Sequence, residues 1–397
     1  MALGGREVTV LGGGIAGLAA ALACARRGAR VRVLEQAPEI AEIGAGLQIS
    51  PNGAVVLQAL GLGDALARAS VPAEAVELRE GAGGGRVLRL DLARAAGAGR
   101  AGYHFIHRAD LVALLARGAR AAGVQLETSR RIDRVEIPRG GPARLIDAQG
   151  AVRPAALLLG ADGLHSVLRP ALDPGAARAR FTGQVAWRAV IAAEPGARAV
   201  AQVFMGPGRH LVSYPLRAGR ARNIVAVEER RGWTGEGWHQ GDDPARLRAA
   251  FAGFGGPVPG WLARLEAVHL WGLFRQPVAA RWHDGGGRAA LLGDAAHPTL
   301  PFLAQGANMA LEDAWVLAES LDRHDTPAAA LAAYQRARRD RAVRIIAAAA
   351  RNARAYHLRA PLRPLAHAAL RLGARLAPDA ALNRFDWLYG YDVTQGA

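Results

Sequence analysis

Glu7-Val8-Thr9-Val10-Leu11-Gly12-Gly13-Gly14-Ile15-Ala16-Gly17 runs from a short apolar stretch, through three consecutive glycines, into a helical pattern. The helix continues from Ile15 to Arg27 and ends at Gly28, and Ala29 to Leu34 follows as a second strand. Strand, crossover helix and strand within this span make one βαβ unit. Gly12, Gly14 and Gly17 fit the dinucleotide fingerprint, in which glycines permit a tight turn and close backbone approach. The free N–H groups and dipole of the helix N-terminus can then hold a pyrophosphate. Glu35, at the end of the second strand, is placed to accept hydrogen bonds from ribose hydroxyls. A glycine turn that binds nothing would not need strand, helix and acid together. The motif alone does not say which dinucleotide is bound.

Further elements belong to the same kind of domain. A helix is expected from Ala109 to Arg120, a buried strand from Ala155 to Leu159 and another from Arg288 to Leu292. Between those two strands the pattern changes. From about Phe181 to Phe274 apolar and polar residues alternate in runs such as Ala199 to Phe204, Arg209 to Tyr214 and Arg222 to Val227, separated by turn sequences. That is an antiparallel-sheet pattern, inserted into the nucleotide domain rather than appended to it. A helix is expected over Ala307 to Leu321, and a helical tail from Pro327 to Arg354 and, in broken form, to about Ala381. The fold class is therefore α/β, a Rossmann-like domain with an inserted antiparallel sheet and a C-terminal helical tail. The expected division assigns 1–70, 101–175 and 285–325 to the nucleotide domain, 71–100 and 176–284 to the inserted sheet, and 326–397 to the tail.

The 397 residues suit two connected domains, and 51% hydrophobic residues can fill their cores. The net charge of +16 raises nucleic acid or an anionic membrane as a partner. Every basic residue is Arg, however, with no Lys in the chain, and the arginines are scattered among Ala, Gly and Pro. Solvated helix faces are the expected reading, with no nucleic-acid partner, no stable membrane association, and a monomer or homodimer. No apolar run reaches bilayer length and no signal peptide opens the chain, so a cytoplasmic protein is expected. The single Cys24 lies in an expected helix and reads as a small buried hydrophobe. His104 and His107 share a strand without a carboxylate or thiolate beside them, so no metal site is expected.

Two later segments choose the cofactor. Leu158-Leu159-Gly160-Ala161-Asp162-Gly163-Leu164-His165-Ser166-Val167-Leu168-Arg169 resembles the D-G motif of the single-component FAD-dependent aromatic hydroxylases (class A flavoprotein monooxygenases). Leu291-Leu292-Gly293-Asp294-Ala295-Ala296-His297-Pro298 resembles their G-D motif, and all three motifs occur in that family's order over nearly the whole chain. The resemblance implies bound FAD, NADH or NADPH as co-substrate, dioxygen, and a C4a-hydroperoxyflavin that hydroxylates a small aromatic compound. Asp294 would accept a ribityl hydroxyl. The N–H groups of Ala307 and Asn308, just after Gly306, would face the flavin N1 and C2 carbonyl, where charge accumulates on reduction. By the resemblance Arg108 covers the flavin or the pyrophosphate, and Asp162 supports FAD and shapes the nicotinamide path. His297 reads as part of a turn.

Within that family the 3-hydroxybenzoate 6-hydroxylase and salicylate hydroxylase branch is the most similar. Gly44-Ala45-Gly46-Leu47-Gln48-Ile49-Ser50-Pro51-Asn52-Gly53 looks like its flavin-facing strand and loop, with Gln48 beside the cofactor. Gly206-Pro207-Gly208-Arg209-His210-Leu211-Val212-Ser213-Tyr214-Pro215 looks like its substrate-sheet strand, and Leu300-Pro301-Phe302-Leu303-Ala304-Gln305-Gly306 like its loop beside the flavin ring. The tail Trp387-Leu388-Tyr389-Gly390-Tyr391-Asp392 is similar too.

Transfer of an electrophilic OH is helped when the substrate is a phenolate, so a base is wanted near its hydroxyl. His210 and Tyr214 are four apart and share one face of an extended strand. His210 would take the phenol proton, Tyr214 orient the ring or relay the proton, and Gln305 hold a substrate hydroxyl or the peroxide. By the resemblance these three form the catalytic set. Arg188 and Arg222, on sheet strands, are candidates for a substrate carboxylate, with Pro301 at the edge of the pocket.

Three rival readings arise, of which the first is excluded. A flavin-dependent halogenase would need a Lys and a second Trp beside Trp187, both missing here. An epoxidase or hydroxylase of a larger polycyclic or polyprenyl substrate would use the same flavin site behind a wider pocket. A flavin-binding module without catalysis would hardly need three binding segments.

Overall fold

The computed structural model describes residues 3–40, 45–92, 101–233, 240–377 and 379–395. Gly44 of the flavin-facing loop, and 93–100 of the expected second segment, lie outside them. Five parallel strands form the nucleotide sheet, in the order Ala289–Leu291, Leu157–Gly160, Glu7–Leu11, Arg30–Leu34 and Gln125–Glu127. Their register puts Leu11 beside Gly160 and Gly160 beside Leu291. The three motif loops, far apart in the chain, therefore leave the sheet side by side at its C-terminal edge, where open α/β sheets bind ligands.

The fingerprint helix, Ile15–Ala25, is apolar all round because it is enclosed on all sides. It packs on the sheet and against helices Arg108–Ala121 and Gly306–Arg323. Leu18 to Cys24 are at most 2% exposed, and burial pushes the Cys24 thiol up to about 12.

The inserted sheet has eight strands, ordered Gln240–Asp242, Val268–Arg275, Arg180–Ala192, Ala221–Glu229, Arg209–Leu216, Val200–Gly206, Ala75–Glu80 and Arg86–Asp91. All neighbours are antiparallel except Val200–Gly206 and Ala75–Glu80, which run parallel. Period-2 alternation divides its faces. Trp187, Phe204, Leu211 and Ile224 pack on the short helices Pro244–Ala250 and Val258–Ala263 through Phe251 and Trp261. Arg188, Val203, His210, Val212, Tyr214 and Val225 face the other way, into the large cavity.

A small antiparallel sheet, Gly46–Ile49, His104–His107 and Val71–Pro72, joins the two domains. There Gly46 N–H donates to Asn223 Oδ1 at 2.7 Å, and a Cβ on Gly46 would lie 2.6 Å from the Tyr214 ring. Only glycine lets the two domains approach so closely. A three-stranded meander over 134–155 and two helices of the inserted domain were not foreseen from sequence.

The 30-residue helix Pro327–Tyr356 returns across the nucleotide domain. Arg338 on it, fully buried, pairs with Glu312 at 2.6 Å and Asp313 at 2.8 Å, and Arg341 pairs with Glu312 at 2.8 Å. Among the described residues no helix is long and apolar enough to cross a membrane.

Candidate active site

A cavity of about 1300 Å³ extends from the fingerprint helix, past the third motif loop, to the inserted sheet and the tail. One drug-sized ligand occupies roughly 300–1,000 Å³, so there is room for a large cofactor and a small substrate together. At its nucleotide end the glycines are required sterically. Gly12 has φ +104°, and a Cβ there would lie 2.5 Å from the Ala161 carbonyl oxygen. A Cβ on Gly17 would lie 1.9 Å from the Gly12 oxygen. The first helical bond runs from Leu18 N–H to Gly14 O, so the N–H groups of Ile15, Ala16 and Gly17 have no acceptor within the helix. Gly14, Ile15 and Ala16 line the cavity. Glu35 accepts from Gly13 N–H at 2.7 Å and Ala37 N–H at 2.8 Å, which fixes the carboxylate at the mouth of the glycine loop.

In the middle, strand Ala289–Leu291 delivers Gly293 in a left-handed turn, φ +60°, where a Cβ would lie 2.8 Å from the Ala16 Cβ. Asp313 stabilises that turn, accepting from Gly293 N–H at 3.0 Å and pairing with buried His297. Burial opposes the charge on His297, but Asp313 outweighs it and raises the imidazole's pKa. Asp294 opens into the cavity opposite Arg108. Enclosure pushes its carboxyl up, while His297 and Arg108 act against that, and burial lowers the Arg108 guanidinium with Asp294 opposing. Helix Gly306–Arg323 makes its first bond from Met309 N–H to Gln305 O, and Gly306 and Ala307 line the wall at its N-terminus.

At the sheet end the wall is apolar apart from a few groups. Arg188 stacks on Trp271 at 4.3 Å, and its buried Nε has no hydrogen-bond partner among the described residues. Burial, with Arg108 nearby, lowers its pKa to about 10. His210 and Tyr214 line the same wall, as their spacing implies. Burial and His357 hold the His210 imidazole well below its ordinary range, so it is neutral near pH 7. Tyr103 donates to Gln48 Oε1 at 2.8 Å, and burial raises the Tyr214 hydroxyl. Pro301 opens a short 3₁₀ turn, Pro301–Leu303, on the rim.

Two sequence expectations change, those for Arg222 and Gln305. Arg222 lies on the opposite face of the sheet from Arg188, where Glu194 holds it through two oxygens, Ser213 lies at 3.0 Å and Trp261 at 4.4 Å. It does not reach the cavity. Gln305 is 1% exposed and spends its amide behind the loop, donating to Ser50 Oγ at 2.9 Å and accepting from Asn52 at 3.1 Å. It is not placed to hold substrate. The Asn308 side chain is a staple, accepting from Ser50 N–H at 3.0 Å and donating to Gln48 O and Ala304 O. Asp162 Oδ2 accepts from Val167 N–H at 2.8 Å and Leu168 N–H at 3.3 Å, with burial raising its carboxyl. His104 bonds Ser70 at 2.9 Å, and no group that could hold a metal ion occurs among the described residues. Sequence reasoning missed His357, whose Nε2 lies 2.7 Å from His210 Nδ1.

Residues 6–349 match the family model described as FAD binding domain. The chain is 36% identical to a 3-amino-4-hydroxybenzoate 2-monooxygenase of Streptomyces platensis, over 98% of this chain and 96% of that one. It is 37% identical to a 3-hydroxybenzoate 6-hydroxylase of Polaromonas naphthalenivorans, over 97% and 96%. Among solved structures, Klebsiella pneumoniae HpxO complexed with FAD and uric acid superposes with TM-score 0.81 at 27% identity, over 94% of this chain and 94% of that one. A salicylate hydroxylase substrate complex superposes with TM-score 0.81 at 25% identity, over 98% and 97%.

Proposed function

This chain belongs to the FAD binding domain family, and on that premise we propose that it hydroxylates a monohydroxylated aromatic acid, or a similar N-heterocycle, with NADH or NADPH and dioxygen as co-substrates. It is an FAD-dependent monooxygenase. The residues present fit that cofactor. The glycine loop that tolerates no Cβ, the free N–H groups of Ile15, Ala16 and Gly17, and Glu35 would take the ADP half. Arg108, Asp294, Gln48 and the N–H groups of Gly306, Ala307 and Asn308 would take the flavin half. FAD, when bound, supplies the activated oxygen for hydroxylation.

The protein's own share is to bind an anionic ring and to ionise it. The observation that carries this reading is Arg188, a guanidinium in an apolar wall, paired with no carboxylate among the described residues, on the same sheet face as His210 and Tyr214. A cation held in an apolar wall without a counter-ion is costly, and a ligand carboxylate relieves that cost. His210, neutral and tethered through Nδ1, has Nε2 left for a phenol proton, while Tyr214 and Gln48 orient the ring. Apolar side chains such as Val203, Val212 and Val225 surround them.

The test is a screen of hydroxybenzoates and hydroxylated N-heterocycles for stimulated NADH and NADPH oxidation, with product identified by mass. His210→Ala is expected to slow hydroxylation far more than NAD(P)H oxidation, and unchanged coupling would remove His210 from the reaction. The cavity has an apolar extension between Val76, Leu78, Leu88 and Leu90 of the sheet and Leu370 and Phe385 of the tail. If no phenolic acid stimulates turnover, that extension favours the larger polycyclic or polyprenyl substrate.

A further inference from the structure

His210 does not end in the cavity wall. Its Nδ1 lies 2.7 Å from His357 Nε2, and His357 Nδ1 lies 3.0 Å from Glu229 Oε1. His357 caps the C-terminus of the tail helix Pro327–Tyr356, 147 residues from His210, and its side chain is 3% exposed. The Glu229 side chain is 41% exposed and lies in a second, open hollow with Gln184 and Arg359. Two imidazoles and a carboxylate thus form an unbroken line from the cavity to water.

We propose that His210, His357 and Glu229 form a proton relay that carries the substrate's phenolic proton from the cavity to solvent. The proposal rests on the reading of the substrate as a phenol. At the start His210 carries its proton on Nδ1 and donates to His357 Nε2, while His357 donates from Nδ1 to Glu229. The phenol O–H bond breaks as His210 Nε2 takes the proton. The Nδ1 proton of His210 passes to His357 Nε2, the Nδ1 proton of His357 passes to Glu229, and Glu229 releases it to water. No electrons are gained or lost, and the substrate is left as phenolate. His210 then presents N–H at Nε2, a donor to the phenolate oxygen and the proton source when product leaves.

A single base in this position would not suffice. A phenol has a pKa of about 10, and His210 is a weaker base than an ordinary imidazole because of burial and the neighbouring ring. A proton left on His210 would return to the phenolate at once. Export to water separates the charges and leaves the phenolate behind in the cavity.

The groups facing the two rings are few. Glu229 and Gln184 come from adjacent strands of the sheet, and Arg209 and Arg359 act on His357 through their charge. Tyr356 and Phe302 pack on His210 at 5.3 and 5.4 Å. Burial lowers the His357 pKa, with Glu229 acting against that and the two arginines adding to it, and the ring turns one nitrogen to His210 and the other to Glu229.

The experiment uses FAD-loaded wild type, His357→Phe, His357→Gln and Glu229→Gln, each mixed with 3-hydroxybenzoate, salicylate or 3-amino-4-hydroxybenzoate. Phenolate absorbance is followed by stopped flow across pH, beside equilibrium binding. At neutral pH His357→Phe is expected to slow phenolate formation at least tenfold with substrate affinity little changed. The loss should shrink as pH rises, and added imidazole should restore part of the rate. Glu229→Gln is expected to show a several-fold loss. Wild-type phenolate kinetics in both His357 variants, or a loss equal at all pH and untouched by imidazole, would overturn the relay while leaving the phenolic reading standing. If wild type forms no phenolate with any of these acids, both fall.

Discussion

Replacing Arg188 by Met separates what this residue does for the ligand from what it does for the fold. Its guanidinium stacks on Trp271 at 4.3 Å, and Met keeps most of the apolar stem while deleting the charge. A hydrogen bond to a charged group contributes roughly 1.5–3 kcal/mol. A tenfold change in Kd is about 1.4 kcal/mol, so a hydroxybenzoate should bind roughly ten- to a hundredfold more weakly. The parent phenol, without the carboxylate, should lose much less. Stability should move the other way. The fold lowers the Arg188 pKa from 12.5 to about 10, so keeping it charged costs stability at every pH below about 10, and the cost fades above that. Discounted for the part of the side chain that faces the cavity, removal should return about 1–2 kcal/mol near pH 7. Titration calorimetry with the acid and its parent phenol, and thermal melting of the substrate-free protein, measure the two effects. Equal loss of both ligands, or a lower Tm in Arg188→Met, would refute the assignment of Arg188 as an uncompensated cation awaiting an anion.

Other outcomes follow from the same geometry. Glu35→Ala frees the N–H groups of Gly13 and Ala37, and flavin fluorescence on dilution should show FAD retained roughly tenfold less tightly, or worse. Asp313→Asn breaks a buried ion pair with Arg338 and His297, at roughly 3–5 kcal/mol in denaturant melts. Burial opposes the Asp313 charge, but His297 and Arg338 hold its folded pKa at about 2 against 3.8. Its contribution is therefore present above pH 3.8 and lost as pH falls toward 2, and the acid limb of the stability profile should flatten in the variant. Gln305→Leu should lower Tm by breaking the bonds to Ser50 and Asn52 but leave the ratio of product to NAD(P)H consumed near wild type. A selective collapse of that ratio would return Gln305 to the substrate.

The backbone-defined parts of this site were legible in the sequence. Gly12, Gly17 and Gly293 are fixed by collisions that any Cβ would make, and such positions leave their mark on residue identity. The strand period that put His210 and Tyr214 on one face was legible for the same reason. Arg188 and Arg222 looked alike because the pairing of their strands was unknown. Ile191 pairs with Arg222 and Arg188 with Val225, which turns the two guanidiniums to opposite faces. Gln305 and Asn308 sit beside the site, but their amides serve Ser50, Asn52, Gln48 and Ala304, and nothing in one chain's letters separates a staple from a contact. His357 was invisible because its partners come from strands more than a hundred residues earlier.

The order of strands in the parallel sheet has a consequence for how the protein is made. Ala289–Leu291 forms its outer strand, and the loop that follows brings Asp294 into the cofactor cavity. A ribosome must therefore complete nearly three quarters of the chain before a cofactor can be held. Helix Ile15–Ala25, apolar on every side, waits through that interval for Gly306–Arg323 to cover it. The eight-stranded sheet, bounded by 75 and 275, can pair its strands in the meantime. Newly made chains thus leave this apolar helix uncovered through that interval, and free FAD can help only those that have passed the third motif loop.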